Sequence, residues 1–142
     1  MLQVDFRTAP LFADLSPPQL ERLNRLAHHR TYHAGELVFR EGEPGIAIFV
    51  ITSGTFVLRH DFGTGDGPIE AILHAGQVMG LTSMLDEEPR RVSAYAVSDG
   101  TCAVLTRITF RTAMAENPRL ALKVIRSMAQ RLRAVTGLVN RY

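Results

Sequence analysis

Short apolar runs separated by turn residues occupy the middle of this 142-residue chain. Three of the runs, GELVFRE, AIFVITSG and TFVLRHD, have the length of strands and are rich in β-branched and aromatic residues. Further strands are predicted at 69–74, 92–97 and 102–106, and DFGTGDGP at 61–68 has the composition of a hairpin loop. Short strands at this regular spacing predict a mainly β fold with flanking helices, namely a jelly-roll β-barrel or double-stranded β-helix.

One helix is predicted before the strands, in the segment APLFADLSPPQLERLNRLAHHR. Ser16 is suited to its N-cap position, and Pro17 is suited to its first turn. Leu20, Leu23 and Leu26 then form an apolar stripe at helical spacing. The chain is therefore expected to have a short amphipathic helix ahead of its first strand.

Helical spacing returns after residue 108. The segment ITFRTAMAENPRLA predicts a short helix that ends near Asn117 and Pro118, and the remainder predicts one long helix. Apolar or small residues recur along the long helix at alternating spacings of three and four, the pattern of a two-stranded coiled coil. This coiled-coil stripe consists of Leu122, Ile125, Ala129, Leu132, Thr136 and Val139. We expect its first half to pack on the chain's own barrel, and its second half to pack on a partner helix in a homodimer.

The length and the order of the predicted elements indicate a single domain over residues 1–142. Its N-terminal helical part is expected at 1–30, its strands at 31–108 and its C-terminal helices at 109–142. Within the strand region, the segment GQVMGLTSMLDEEPRRVS at 76–93 contains small residues, hydroxyl groups and two adjacent arginines. This is the composition of a loop that binds a phosphate or another anion.

Composition narrows the functional classes. Hydrophobic residues make up 46% of the chain and charged residues 21%, the balance of a soluble globular protein. The net charge of +2 is too small to indicate nucleic-acid binding by itself. The longest apolar stretch, IAIFVI, is too short to span a bilayer, and the N-terminus lacks the pattern of a signal peptide. With Cys102 as the lone cysteine, a cytoplasmic location and no membrane partner are expected.

The sequence predicts no catalytic or metal-binding arrangement. The five histidines have no fixed spacing, so structural or solvated roles are expected for them. No Ser-His-Asp or Cys-His arrangement is supported by the spacing, and there is no GxGxxG motif or Walker loop. Cys102 lies in an apolar strand, where cysteine behaves as a small hydrophobic residue. The chain is therefore not expected to be an enzyme.

A set of motifs, most of them containing glycine, follows a fixed order along the strands. The set consists of GELVF at 35–39, EGEPG at 41–45, FVI at 49–51, Gly54, AG at 75–76, Gly80 and PR at 89–90. Together with the N-terminal and the long C-terminal helices, this order resembles the cyclic-nucleotide-binding domain family over residues 9–142. The resemblance implies a β-roll whose long C-terminal helix carries a ligand signal to a dimer partner or another protein.

In that family the loop at 76–93 is a phosphate-binding cassette. The resemblance assigns the phosphate clamp to Arg90, since a guanidinium presents two parallel donors to a phosphate. It places Arg91 and Ser83 beside the phosphate as backbone donors, with Gly80 at the tight turn. The alternative is that both arginines are solvated and balance the acidic residues that precede them.

The cassette departs from the family pattern at Leu81. The family has a glutamate there, which accepts a hydrogen bond from the ribose 2′-hydroxyl, and leucine cannot accept one. An unpaired partner costs about 1–3 kcal/mol, or roughly ten- to hundred-fold in affinity. Cyclic AMP or cyclic GMP is therefore expected to bind weakly, through Arg90. Thr82 is expected beside the sugar, and the Glu70 carboxylate either replaces the missing one or faces water.

The resemblance also implies that the long helix contacts the base of a bound nucleotide. By register, the two hydroxyl residues that touch the base fall on Val135 and Thr136, so one hydroxyl is retained. Arg133 either stacks on the base or is solvated.

Three functions remain open at this point. The first is a ligand-sensing regulatory domain that binds a small anionic nucleotide and signals through its C-terminal helix. The second is a dimerisation or scaffold module with a vestigial pocket. The third is the sensor half of a catabolite-activator-type transcription regulator. No DNA binding by this chain alone is expected, because no helix-turn-helix follows the long helix before Tyr142.

Overall fold

Two antiparallel sheets and four α-helices are formed by the residues that the structure describes. The computed structural model describes Phe6 and residues 9–61 and 67–139, with side chains described up to residue 134. The strands are β1 (His28–Tyr32), β2 (Leu37–Phe39), β3 (Ala47–Ser53), β4 (Phe56–Arg59), β5 (Ile69–Leu73), β6 (Val78–Met79), β7 (Ser93–Ala96) and β8 (Gly100–Thr106). The helices are α1 (Pro17–Leu26), α2 (Leu81–Asp86), α3 (Arg107–Glu116) and α4 (Pro118–Val139).

The two sheets face each other across an apolar layer. Their strand orders are β1-β8-β3-β6 and β2-β7-β4-β5. Phe49 and Val104 enter the layer from the first sheet, and Phe56 and Ala94 enter it from the second. We call this layer the roll core. The predicted jelly-roll fold is confirmed, as two facing sheets within the described residues rather than one closed barrel.

A second apolar layer, the helix core, lies between the first sheet and the helices. Alternate residues of β3 point to opposite sides, so Ile48 and Val50 enter the helix core while Phe49 and Ile51 enter the roll core. Phe110 of α3 is fully buried in the helix core. Because β3 is buried on both faces, its apolar run is continuous instead of alternating.

Helix α1 begins where the sequence predicts. The Ser16 hydroxyl accepts a hydrogen bond from the Gln19 amide at 3.4 Å, and the Ser16 amide donates to Gln19 Oε1 at 2.9 Å. This reciprocal pair is a capping box, which satisfies two amides that lack a partner inside the helix.

The predicted boundary between the helical part and the strands needs a correction. Strand β1 already begins at His28, inside the segment 1–30 that was expected to be helical. Residues His28 to Arg30 are exposed and polar, so no apolar alternation marks them as a strand. Their backbone is nevertheless paired antiparallel with β8, and that pairing decides their conformation.

Helices α3 and α4 separate at Asn117 and Pro118, as predicted. Leu120 and Val124 of α4 pack in the helix core. The described part of the coiled-coil stripe is exposed instead: Leu122, Ile125, Ala129 and Leu132. The expectation that the first half of this stripe packs on the chain's own barrel is therefore wrong. Leu120 and Val124 also follow helical periodicity, and tertiary packing decides which of the two faces is covered.

Two further features complete the fold. Strands β4 and β5 pair as an antiparallel hairpin, and residues 62–66 of the predicted loop between them lie outside the described residues. The two-residue strand β6, which the sequence did not predict, pairs with β3 and leads into α2. Among the described helices, none is both long enough and apolar enough to cross a membrane.

Candidate functional site

The segment 76–93 contains β6, the short helix α2 and the first residue of β7. Helix α2 begins after Gly80, whose backbone is left-handed with φ +82°. A Cβ at Gly80 would collide with the guanidinium of Arg90, so glycine is required by both the backbone angle and the close approach. Gly80 and Arg90 are therefore in direct contact at the base of the cassette.

Arg90 is a buried arginine, with only 4% of its surface exposed. Its Nη1 donates to the carbonyl oxygen of Gly80 at 2.7 Å, and its Nη2 donates to that of Ala47 at 2.6 Å. The guanidinium carbon lies 4.3 Å from the ring centre of Phe39 and 5.9 Å from that of Phe49, both in the roll core. Burial lowers the pKa of Arg90 to about 10, so the side chain remains charged at neutral pH.

The backbone of Arg90 is also anchored, to the turn between β2 and β3. Its amide donates to the carbonyl oxygen of Glu43 at 2.7 Å, and its carbonyl accepts from the amide of Gly42 at 2.8 Å. An isolated β-bridge joins the neighbouring residues Pro44 and Pro89. This turn therefore fixes the backbone of Arg90 where its guanidinium can lie against Phe39 of the roll core.

Among the residues that the structure describes, no carboxylate compensates the charge of Arg90 at close range. Within the described part of the chain, no Asp or Glu oxygen lies within 4.0 Å of its nitrogens, and its Nε has no hydrogen-bond acceptor. Glu43 raises the pKa of Arg90 from a greater distance, and Arg107 lowers it. Because buried charges are normally paired, this guanidinium is suited to receive an anion.

Arg91 lies outside the roll core and pairs with Glu70. Its Nη1 and Nη2 donate to the two carboxylate oxygens of Glu70 at 2.6 and 2.9 Å. The hydrogen bond from Arg91 lowers the pKa of Glu70, and the same bond raises the pKa of Arg91. Two predicted site residues are therefore brought together, but as an ion pair in which the Arg91 side chain is 66% exposed.

The residues of α2 lie in three different surroundings. Leu81 is 3% exposed and belongs to the helix core, whereas Arg90 lies against the roll core. Ser83 is buried, and its hydroxyl donates to the carbonyl of the residue before Arg90 at 3.4 Å. Thr82 is exposed, and its hydroxyl accepts from Nη1 of Arg131 at 3.2 Å. The structure therefore brings Ser83 close to Arg90 and directs Leu81 away from it.

Helix α4 supplies a cassette contact that the sequence analysis did not name. Arg131 donates to Thr82, and its charge contributes to the lowered pKa of Glu70. Arg131 lies three residues after Met128, which packs against the helix core, so the two side chains are on the same side of α4. Arg133 is exposed. Three predicted residues have side chains outside the described part: Val135, Thr136 and Val139.

A second guanidinium reaches the cassette from α3, and sequence reasoning missed it. Arg107 donates from Nε to the carbonyl oxygen of Met84 at 3.0 Å, and from Nη2 to that of Gly45 at 2.7 Å. Its Nη1 lies 3.7 Å from a carboxylate oxygen of Glu87. A signal was present in the sequence, because a cation in the first turn of a helix opposes the helix dipole and needs another partner.

The described residues include neither a metal-binding cluster nor a reactive thiol. No group of three or more His, Cys, Asp or Glu side chains there could hold a metal ion. Cys102 is buried, and burial raises the pKa of its thiol to about 12. The thiol is therefore protonated at neutral pH and is a poor nucleophile.

The chain matches known proteins over most of its length. The family model described as cyclic nucleotide-binding domain matches residues 29–117. The cyclic AMP receptor protein of Thermus thermophilus is 30% identical over 125 residues, which are 88% of this chain and 58% of that protein. An uncharacterized NTE family protein of Mycobacterium bovis is 29% identical over 127 residues, which are 89% of this chain and 21% of that protein.

A solved structure has the same architecture. The crystal structure of the Thermus thermophilus catabolite activator protein is similar with a TM-score of 0.83 and 29% identity. The similarity covers 93% of this chain and 62% of that one. This chain therefore spans less than two thirds of the length of these relatives.

Proposed function

The chain belongs to the cyclic nucleotide-binding domain family, and on that premise we propose that it is a regulatory domain that senses a small anionic nucleotide. The phosphate of the ligand binds Arg90, and α4 carries the signal to a second copy of the chain. Cyclic AMP is the first candidate ligand, because the Thermus relative is named a cyclic AMP receptor protein. Cyclic GMP is the second candidate ligand, because it carries the same cyclic phosphate.

The buried charge of Arg90 is the observation that carries this proposal. Its guanidinium is held by two carbonyl oxygens, and its Nε lacks an acceptor in the described part of the chain. Carbonyl oxygens carry partial charges, whereas a phosphate carries a full negative charge and accepts two parallel bonds from one guanidinium. In a site removed from water this attraction is stronger than in solvent. Binding therefore exchanges the carbonyls of Gly80 and Ala47 for phosphate oxygens.

The surroundings of the cassette limit affinity for a ribose. Leu81 lies in the helix core and offers no acceptor to a sugar hydroxyl. The Glu70 carboxylate is already bonded by Arg91, so a sugar hydroxyl has to compete with that bidentate pair. Affinity for cyclic AMP is therefore expected to be roughly ten- to hundred-fold below that of a site with a free acceptor.

Calorimetric titration tests the proposal. The wild-type protein is titrated with cyclic AMP, cyclic GMP and cyclic di-GMP, and the Arg90→Gln variant is expected to lose all binding. Arg91→Gln is the matched control, since it removes an exposed guanidinium and should change the Kd by less than about fivefold. Circular dichroism checks that Arg90→Gln is folded.

Two outcomes would contradict the proposal. Equal losses in Arg90→Gln and Arg91→Gln would show a diffuse basic patch instead of a single clamp. A wild-type protein that binds none of the three nucleotides would remove nucleotide sensing as the function.

A dimerisation module without a ligand is the second candidate, and the coiled-coil stripe favours it. Leu122 is 44% exposed, Ile125 is 62% exposed and Leu132 is 67% exposed. An apolar face of this extent on a long helix is suited to a second copy of the same helix. The same face would transmit the signal of the first candidate, so the nucleotide titration separates the two functions and the oligomeric state does not.

The proposed nucleotide-sensing domain can be specified further, as the sensing half of a transcription regulator. This chain spans 58% of the Thermus cyclic AMP receptor protein and 62% of the catabolite activator chain. We infer that this chain corresponds to the sensing half of such a regulator, and that any DNA binding belongs to the part of the regulator that this chain does not match.

A further inference from the structure

Helix α2 is held by a guanidinium group near each of its ends. At the N-terminal end, Arg90 donates to the carbonyl of Gly80 at 2.7 Å. Towards the C-terminal end, Arg107 donates to the carbonyl of Met84 at 3.0 Å. Arg90 belongs to the cassette itself, whereas Arg107 is the first residue of α3. Helix α2 therefore lies between the candidate anion site and the C-terminal helices.

Arg107 joins three segments of the chain. Its Nη2 donates to the carbonyl of Gly45 at 2.7 Å, and its amide donates to the carbonyl of Ile46 at 2.9 Å. The turn before β3, the cassette helix α2 and the start of α3 therefore meet at this one residue. Hydrogen bonds from a charged donor are roughly twice as strong as neutral ones, so this joint opposes separate movement of α2 and α3.

Helix α3 is in turn packed on α4. Phe110 of α3 is fully buried in the helix core, where Leu120 and Val124 of α4 are also buried. The amide of Leu120 donates to the carbonyl of Asn117 at 3.0 Å, so the connection between the helices is short and bonded. A close-packed core transmits a displacement instead of absorbing it.

We propose that Arg107 is a positioning residue that couples the Arg90 site to α3 and α4, which rests on Arg90 being the sensing residue proposed above. Arg90 holds α2 to the roll core, and Arg107 passes this restraint to α3. When a phosphate draws the Arg90 guanidinium away from Gly80, α2 loses its N-terminal restraint and keeps the one from Arg107. Helix α2 then moves with α3, and the coiled-coil stripe on α4 moves with both.

Arg111 provides a matched control on the same helix. Its Nη2 donates to a carboxylate oxygen of Glu87 at 3.2 Å, and its side chain is 51% exposed. An exposed ion pair of this kind contributes little to stability. Arg111→Gln therefore removes one positive charge from α3 and one cassette contact, but leaves the bonds from Arg107 to the backbone intact.

The test replaces the ligand by a substitution, so no arm of it contains a nucleotide. Hydrogen–deuterium exchange is measured by peptide for wild type, Arg107→Gln and Arg111→Gln, each with and without Arg90→Gln. In the wild-type and Arg111→Gln backgrounds, Arg90→Gln is expected to speed amide exchange in both α2 and α3 by about tenfold, as loss of a charge-assisted bond implies. In the Arg107→Gln background the faster exchange is expected to stay within α2.

Three results overturn the proposal. The first is that Arg90→Gln speeds amide exchange in α3 as much in the Arg107→Gln background as in wild type. The second is that Arg90→Gln does not change exchange in α3 in the wild-type background. The third is that Arg90→Gln no longer speeds exchange in α3 in the Arg111→Gln background. If a glutamine variant does not fold, Arg107→Lys or Arg90→Lys replaces it, because lysine keeps the charge but not the forked donors. Failure of every nucleotide to bind in calorimetry would remove the proposed function while the exchange result remained interpretable.

Discussion

Two adjacent arginines acquire opposite properties from their surroundings. Burial against aromatic rings lowers the pKa of Arg90 to about 10, whereas the hydrogen bond to Glu70 raises the pKa of Arg91. Arg90 is held by backbone carbonyls, and Arg91 already has a carboxylate partner. These contacts support the proposal that Arg90 binds the anion, while Arg91 restrains Glu70.

Glu70→Gln tests the exposed ion pair. Because Arg91 lowers the pKa of Glu70, the pair stabilises the fold above the unfolded-state pKa of about 4.3, and this contribution is lost as the pH falls below it. The pair is solvent-screened, so the loss in the free energy of unfolding at neutral pH should be below about 1 kcal/mol. Urea unfolding should show a smaller difference between wild type and variant at acidic pH. A difference that grows on acidification would contradict the pairing.

Leu81→Glu tests whether the carboxylate of the family pattern fits this chain. Leu81 is 3% exposed in the helix core, so a glutamate there is expected to lower the free energy of unfolding by about 3 kcal/mol or more at neutral pH. Burial would raise the pKa of the introduced carboxyl, so the loss should shrink as the pH is lowered and the neutral form predominates. Chemical denaturation at two pH values measures this.

The control for this position keeps the volume of the side chain. Leu81→Met should cost less than about 1.5 kcal/mol, because it places no polar atom in the helix core. A stable Leu81→Glu variant with tighter binding of cyclic AMP would show that residue 81 turns towards the sugar after all.

Among the elements, α4 has apolar residues on two faces. Leu120 and Val124 pack in the helix core, while Leu122, Ile125 and Leu132 are exposed. A single amphipathic helix on a monomer needs one apolar face. The second face therefore supports the proposed interface with another copy of α4.

Leu132→Glu tests this interface. Sedimentation at micromolar concentration should show a dimer for wild type and a shift towards monomer for the variant, since opposed glutamates in a helix pair repel each other and remove an apolar contact. Gln130→Glu introduces the same charge at a neighbouring exposed residue on the side of the helix away from the stripe and should leave the dimer intact. A wild-type monomer whose sedimentation is unchanged by Leu132→Glu would remove the interface from consideration.

At the scale of the whole molecule, the first sheet separates two cores. Arg90 lies against the roll core, and the helices lie against the helix core. Helix α2 contacts both sides, because the carbonyl of Gly80 bonds Arg90 while Leu81 and Met84 are buried in the helix core. The proposed coupling from Arg90 to α4 therefore runs through α2 and requires no deformation of the sheet.

Interactions within a few residues were enough to predict most elements of this protein and their order, but not strands β1 and β6. The N-cap at Ser16, the β-branched run of β3 and the break at Asn117 and Pro118 depend on neighbouring residues, and all three are found in the structure. The ordered motifs also indicated the family, which the match over residues 29–117 confirms. Such features are visible in a sequence because their partners are close along the chain.

Tertiary contacts decided which way the side chains of these elements point. The burial of Arg90 depends on the carbonyl of Ala47, 43 residues away, and the contact of Arg107 depends on Met84, 23 residues away. The strand conformation of His28 to Arg30 requires β8, and the choice between the two apolar faces of α4 requires the helix core. Periodicity shows that a helix or strand has an apolar face, but only packing against a distant part of the chain selects the face that is buried.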